Sequence, residues 1–423
     1  MIPIWSPDVE MRVRAEAAPM DRQLAEAPKE IRFCTRCVVS NQRPRIVFDA
    51  EGVCSACRYA ERKRDGRIDW EARGKELRAL LDRHRRSTGY DVIVPVSGGK
   101  DSATIAHRLK HEFGMHPLCV TWAPFAYTEV GRANFEAFVH CGFDTIVAHP
   151  DGLMHRRLAR LALEYLGDAW QPFAYGQLNF AMHAAVRFGV PLVMFGENGE
   201  AEYGGDPAAN DKPCWDRADW DRVYLKGAGV DNLLDLGRAL GAFEQGDCRS
   251  LSAFYAAPAR AETEFHWWAH YNRWHPQANF YYAQANTGFT ANPEGRSEGT
   301  YSKYASLDDK HDGFHYYMAY IKFGIGRCTS DAAHEVRDSE ITRDEAVALV
   351  KRFDGEFPKR HFKEFCEYLG IDAAHFWRIV DRWRRSEIWE LKAKWPLLPT
   401  DTASHEWKLR RAVWHTEPEA RAA

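Results

Sequence analysis

The chain has 423 residues, with 57 Lys and Arg against 60 Asp and Glu, a formal net charge of −3. That length accommodates two or three domains and a sizeable core, and the even charge balance argues against a nucleic-acid-binding face. No apolar run reaches membrane-spanning length, and Met1-Ile2-Pro3-Ile4-Trp5-Ser6 lacks the basic and apolar regions of a secretion signal, so a reducing cytoplasm is expected. Residues 1–30, of mixed charge and rich in alanine, predict a loosely ordered arm.

Residues 31–60 carry two C-x-x-C knuckles, Cys34-Thr35-Arg36-Cys37 and Cys54-Ser55-Ala56-Cys57, separated by sixteen residues. Four thiolates at this spacing suit one tetrahedral zinc ion; two disulfides and an iron–sulfur cluster are the alternatives. The segment between them, residues 38–48, predicts short strands, with a turn at Asp49-Ala50-Glu51-Gly52. So short a unit cannot build its own core, and bound metal would supply folding free energy. Cys119, Cys141, Cys214, Cys248, Cys328 and Cys366 are scattered singly and are expected to be buried thiols.

Residues 61–89 read as charged helical sequence. The apolar run Val92-Ile93-Val94-Pro95-Val96 then predicts a buried strand, with Pro95 placed where pairing has stopped. Ser97-Gly98-Gly99-Lys100-Asp101-Ser102 follows, and a helical pattern begins at Ala103. Strand, glycine turn and helix start are the geometry that holds a phosphate: glycines allow close approach, and free amides at a helix N-terminus favour negative charge. Ser97, Lys100 and Ser102 add donors, and Asp101 can hold a magnesium ion. The spacing is not that of a Walker A loop.

Further strands are predicted at residues 117–122, 144–148 and 191–195, with helical patterns between, such as 134–140 and 153–166. This alternation predicts an α/β fold: a parallel sheet with helices on both faces, binding ligands beyond the strand C-termini. Thr121-Trp122 and Gly196-Glu197-Asn198 fall at such ends beside the glycine loop. The nucleotide domain with its substrate-binding insertions is drawn at residues 61–335, and residues 336–423 form a C-terminal helical region, with a capping-box start at Thr342-Arg343-Asp344-Glu345 and helical pattern to about residue 391.

The loop resembles the PP-loop of the ATP pyrophosphatases. More specifically, the chain resembles the N-acetyl sugar amidotransferase family of bacterial surface-polysaccharide biosynthesis. The residues that carry this are the cysteine knuckle, Val94-Pro95-Val96-Ser97-Gly98-Gly99-Lys100-Asp101-Ser102, Val120-Thr121-Trp122-Ala123-Pro124, Gln171-Pro172-Phe173 with Tyr175-Gly176-Gln177, and the run from Gly196-Glu197-Asn198-Gly199-Glu200 through Ala201-Glu202-Tyr203-Gly204-Gly205. Later matches are Tyr301-Ser302-Lys303-Tyr304-Ala305-Ser306-Leu307-Asp308-Asp309-Lys310, Phe323-Gly324-Ile325-Gly326-Arg327, Asp338, Ile341-Thr342-Arg343 and Asp354-Gly355-Glu356-Phe357-Pro358. The resemblance implies a HUP-like PP-loop fold and an ATP-dependent ligase of cytoplasmic location. Its substrate would be a nucleotide-linked N-acetyl sugar, whose acetamido oxygen is adenylated and replaced by ammonia-derived nitrogen, giving an acetamidino sugar for lipopolysaccharide O-antigen or related glycans with release of AMP and pyrophosphate.

On that reading Ser97, Gly98, Gly99, Lys100, Asp101, Ser102, Thr121, Trp122, Gly196 and Glu197 surround ATP and magnesium, with Lys100, Asp101, Lys322 and Arg327 catalytic. Glu200, Glu202, Tyr203, Lys303 and Lys310 are the substrate candidates. The bland alternatives are a solvated acidic loop for the glutamates, surface lysines, and core packing for Trp267, Trp268, Trp274, Tyr281 and Tyr282. His266, His270 and His275 show no metal spacing. No Gly-x-Cys-x-Gly elbow is present, and the chain does not begin Met-Cys. A glutaminase nucleophile is therefore not visible, and the resemblance implies a separate glutaminase subunit with a cyclase-like barrel companion. A PP-loop tRNA-modifying enzyme, a thiolase or lysidine-type ligase, would need a basic RNA surface; a zinc-ribbon binding module with a degenerate ATP fold would need a broken loop.

Overall fold

The computed structural model describes residues 4–15, 19–215, 217–223, 229–244, 263–394 and 405–415. Five strands, β1 (Val92–Pro95), β2 (Pro117–Trp122), β3 (Thr145–Ala148), β4 (Leu192–Phe195) and β5 (Glu264–Trp267), pair in the order β3-β2-β1-β4-β5. All four pairings are parallel. Alternate residues leave opposite faces: Val92, Val94, Cys119, Leu192 and Met194 pack with helices Trp70–His84 and Lys100–His111. Ile93, Leu118, Val120, Val193 and Phe195 pack on the other face with helices Gly152–Leu166, Gln171–Phe188 and Val230–Ala239. Burial on both faces is why the strands read as continuous apolar runs. Contrary to expectation, Pro95 is still in register with Val120 of β2; pairing of β1 with β4 is confined to Ile93, so Pro95, which lacks an N–H, costs no bond on that side. The strand order reverses between β1 and β4, and a parallel sheet opens a crevice at that point, beyond its strand C-termini.

Several expectations need correction. The described part of the N-terminal arm is anchored, not loose. Helix Pro7–Ala15 buries Val9 and Val13, and Trp5 donates to the Ala242 carbonyl. Fully buried Arg160 ties Glu10 of this helix to Glu164 and His375. Residues 38–48 form no strands; the knuckle has only isolated bridges, Phe33 to Ser40 and Phe48 to Cys54. Helix is already established over Asp312–Phe323 and Arg327–Asp338, upstream of the expected boundary. The C-terminal region also adds an antiparallel pair, β6 (Trp389–Lys394) and β7 (His405–Leu409). Cys119, Cys328 and Cys366 are buried as expected, Cys141 is half-buried, and Cys214 is exposed; Cys248 lies outside the described residues. Among the described residues no helix is long and apolar enough to cross a membrane.

Candidate active site and metal centre

β1 ends at Pro95 and helix Lys100–His111 begins five residues later with Gly99 as its N-cap. The turn between needs glycine at one position in particular. Gly98 has φ +87°, and a Cβ there would lie 2.7 Å from the Phe135 Cα. Ser97 Oγ accepts from the Gly99 amide at 3.3 Å, and Ser102 Oγ donates to the Gly99 carbonyl at 3.2 Å. The Lys100 ammonium is paired with Asp101 and lies 4.9 Å over the Tyr304 ring. Asn279 donates to Asp101 at 2.8 Å, fixing the carboxylate from a distant helix.

Two cavities meet at this loop. A cavity of about 310 Å³ is floored by Ser97, Gly98, Gly99, Lys100 and Asp101 and walled by Asp308 and Asp312. A larger one of about 440 Å³ runs from Lys100 and Asp101 to Arg43 and Arg45 of the cysteine knuckle. Lys100, Asp101, Tyr304, Tyr316 and Arg327 line both. Gly131 lets a helix start abut the wall, since a Cβ there would lie 2.5 Å from the Asp308 Cα. Arg327 sits over the Tyr316 ring at 4.5 Å, donates to its hydroxyl, and pairs with Asp331 one turn on at 3.1 Å.

The acids at this junction are held partly neutral. Burial, and then the Asp101 carboxylate, push Glu197 up to about 7. Burial, and then Asp312, push Asp308 up to about 6. Burial alone would lower Arg327, but Asp331 and its other neighbours hold it above the ordinary arginine value. The Tyr203 hydroxyl donates to Glu197 at 3.4 Å. A half-buried carboxyl group titrating near neutrality beside an anion-binding loop can take up or release a proton during turnover.

The sequence-predicted residues divide. Ser97 through Asp101, Glu197, Glu200, Tyr203, Lys322 and Arg327 line one or both cavities. Lys322, however, is 2% exposed and bonded to buried Asp21 at 2.8 Å and to the Leu166 carbonyl, which makes it a packed structural ion. Thr121, Trp122 and Gly196 line neither cavity. Thr121 donates to the Val96 carbonyl and braces the loop from beneath, Trp122 covers Gly176, and Gly196 backs onto Trp274. Ser102 faces the helix start and also lines neither. Glu202 is buried against Lys63 at 2.6 Å and His334 at 3.3 Å. Lys303 lies over the Phe280 ring and Lys310 pairs with Glu364 at 3.1 Å, both outside the two cavities. Trp267, Trp268 and Trp274 are core.

Residues given no site role from sequence complete the walls: Arg43, Arg45, Tyr304, Asp308, Asp312, Tyr316 and Asp331. Arg45 holds Glu200 through two bonds of 2.8 Å and adopts φ 63°, unusual for a residue with a side chain. Local signals for them were the matched run 301–310, which holds Tyr304 and Asp308, and the Arg327–Asp331 spacing of four.

All four knuckle cysteines are buried, and their sulfurs lie within 4.8 Å of one another. Cys34 to Cys57 is 3.9 Å and Cys37 to Cys54 is 3.8 Å. A disulfide needs about 2 Å. Four sulfurs arranged tetrahedrally at about 2.3 Å from one ion would be about 3.8 Å apart, so the cluster fits a single metal ion. Among the described residues it is the one group of three or more metal-ligating side chains close enough to share an ion.

The fold and its loop define an α/β protein with a glycine loop beyond the first strand of a parallel sheet, a four-cysteine knuckle and a helical C-terminal region. Residues 298–400, the segment carrying Tyr304, Asp308, Tyr316 and Arg327, match the family model "LPS biosynthesis protein WbpG-like, C-terminal domain". The U34-tRNA thiolase NcsA from Methanococcus maripaludis, solved with its 4Fe-4S cluster, aligns over 79% of this chain and 95% of its own, at 11% identity and a TM-score of 0.27. No curated protein matches the chain.

Proposed function

We propose that the protein is an ATP-dependent amidotransferase that converts the acetamido group of a nucleotide-linked N-acetyl sugar to an acetamidino group, for lipopolysaccharide O-antigen or a related surface glycan made in the cytoplasm. The observation that carries the reading is the shared boundary of the two cavities. Phosphates seated on Ser97 through Asp101 and an acceptor in the larger cavity meet at Lys100, Asp101 and Arg327.

The amide oxygen attacks the α-phosphorus of ATP, the bond to the bridging oxygen breaks, and pyrophosphate leaves. The loop amides and helix N-terminus receive the departing charge, and Lys100 and Arg327 neutralise it. Magnesium needs only one or two carboxylates beside the phosphates, and Asp101 is placed to supply one. Glu197 accepts a proton from ammonium; the freed nitrogen lone pair attacks the activated carbon, and the C–O bond breaks with its electrons leaving on AMP. A second proton leaves the nitrogen for solvent. The knuckle holds a structural zinc, since all four ligands are thiolates and no position remains open. Ammonia comes from a separate glutaminase subunit, with a cyclase-like barrel as its companion.

The test is mass spectrometry of nucleotide N-acetyl sugars incubated with protein, ATP, magnesium and ammonium. Replacement of O by NH lowers the mass by about one unit, and it should coincide with AMP and pyrophosphate. Release of ADP and orthophosphate would overturn the reading.

A further inference from the structure

Five Lys and Arg side chains line the larger cavity, and four are in ion pairs: Arg45 with Glu200, Lys100 with Asp101, Lys322 with Asp21, and Arg327 with Asp331. The fifth, Arg43, has none among the described residues. Its Nε donates to the Gly204 carbonyl at 2.5 Å, and its guanidinium lies 5.9 Å from the centroid of the Tyr203 ring. The carboxylate that acts on it electrostatically, Glu200, is already engaged at both oxygens by Arg45. Burial pulls Arg43 below the ordinary arginine value; Glu200 opposes this, and Arg337 and Arg45 pull it further down. At the knuckle, Arg43 thus feels two further guanidiniums, Arg45 and Arg337, while the Glu200 carboxylate is bonded by Arg45. Arg43 is half-buried; a guanidinium partly withdrawn from water without an ion-pair partner is stabilised by a ligand that supplies the counter-charge, and its fork geometry matches phosphate oxygens.

We infer that Arg43 is a diphosphate-binding residue: it receives the phosphate linker of a nucleoside diphosphate sugar at the end of the cavity away from the glycine loop. This rests on the amidotransferase reading and extends it, because it gives the acceptor a direction. The N-acetyl end points to Lys100, Asp101 and Arg327, and the carrier phosphates point to the cysteine knuckle. The cavity, about 440 Å³, is of a size that takes such a ligand. The knuckle is thereby a substrate-recognition element as well as a metal-bound fold.

The experiment is calorimetric titration, without ATP, of wild type, Arg43→Ala and Arg43→Lys with UDP-N-acetylglucosamine and with neutral N-acetylglucosamine. Arg43→Ala should weaken the nucleotide sugar about ten- to hundredfold, with a smaller loss in Arg43→Lys and no change for the neutral sugar. The wild-type affinity should fall with added salt more steeply than that of Arg43→Ala. Separate ATP titrations check that each variant is folded at the loop. Equal affinity of wild type and Arg43→Ala for UDP-N-acetylglucosamine, an equal loss for both sugars, or no binding by the wild type would each overturn the assignment. Arg43-dependent binding without amidine formation would support the assignment while the amidation chemistry fails.

Discussion

Gly98→Ala should disable nucleotide binding while leaving the fold standing. The backbone at Gly98 has φ +87°, and the added methyl would meet the Phe135 Cα at 2.7 Å, its Cβ at 2.9 Å and its backbone nitrogen at 2.9 Å. The left-handed conformation alone costs an alanine about 1–2 kcal/mol. The contact adds to this, because a helix backbone cannot swing aside as a flexible side chain would. Helix Glu129–His140 is itself held at Asn134, which bonds Thr290 through its amide and carbonyl, so the loop is the partner that moves. Displacing the loop shifts amides that must meet phosphate oxygens at hydrogen-bond distance, and a misplacement of about 1 Å costs about a hundredfold in rate. Pyrophosphate release should therefore fall by about two orders of magnitude and ATP affinity should weaken, with the thermal transition changed little because the strain can be relieved in the loop. Wild-type ATP affinity in Gly98→Ala would refute the reasoning, since it would mean that the loop does not hold phosphate in this conformation.

Elemental analysis should find one zinc per chain; iron with a cluster absorption band, or no metal in carefully prepared protein, would contradict the fit of the sulfur spacing. Because Glu197 is pushed up to about 7, it is protonated below that pH and cannot accept ammonium's proton. The rate should thus rise with pH through about 7, and Glu197→Gln should lose this limb of the pH–rate profile. Purified protein should use ammonium but not glutamine, and addition of a cognate glutaminase should make glutamine the better donor; robust glutamine use by this chain alone would reveal a cysteine nucleophile. Lys63→Met should destabilise by about 3–5 kcal/mol in denaturant titration, because Glu202 then keeps its buried charge without its ammonium partner.

What was legible in sequence was what is local. β1, β2 and β4 are buried on both faces, so their apolar runs stand out, and β1, the glycine loop and its helix are contiguous. β5 was missed because Glu264-Phe265-His266-Trp267 alternates, with Glu264 exposed at the edge of the sheet. The arm was misread although Trp5, Val9 and Val13 fall at helical spacing and share one core cluster; mean composition hid the stripe. The cavity walls were harder still. Arg43, Asp308 and Tyr316 come from the knuckle, a turn and a C-terminal helix, and only the tertiary fold brings them to the glycine loop. Lys303 and Lys310 show the converse: they sit in a matched motif, yet the chain turns their side chains away from both cavities.

The buried ions left over from the site form the link between metal centre and cavity. Arg337 faces Cys37 Sγ at 3.8 Å and donates to the Glu202 carbonyl at 2.9 Å. The Glu202 carboxylate takes Lys63 from the helix that carries Cys57, and His334 from the helix that begins at Arg327. His334 in turn bonds Asp338 at 2.9 Å. Burial would lower His334, but Asp338 and Glu202 raise it above its ordinary value. Its stabilising contribution is therefore fully present below about 6.5 and is lost as pH rises through the raised folded value. Lys63, Glu202 and Arg337 are buried outside the cavity, His334 and Asp338 reach its wall, and each would be costly to leave unpaired. They fix the relative positions of the knuckle, the loop after β4 and the helix of Arg327, three elements far apart in sequence. Metal loss should therefore reach the cavity through Arg337 and Glu202, even though no cysteine lines it.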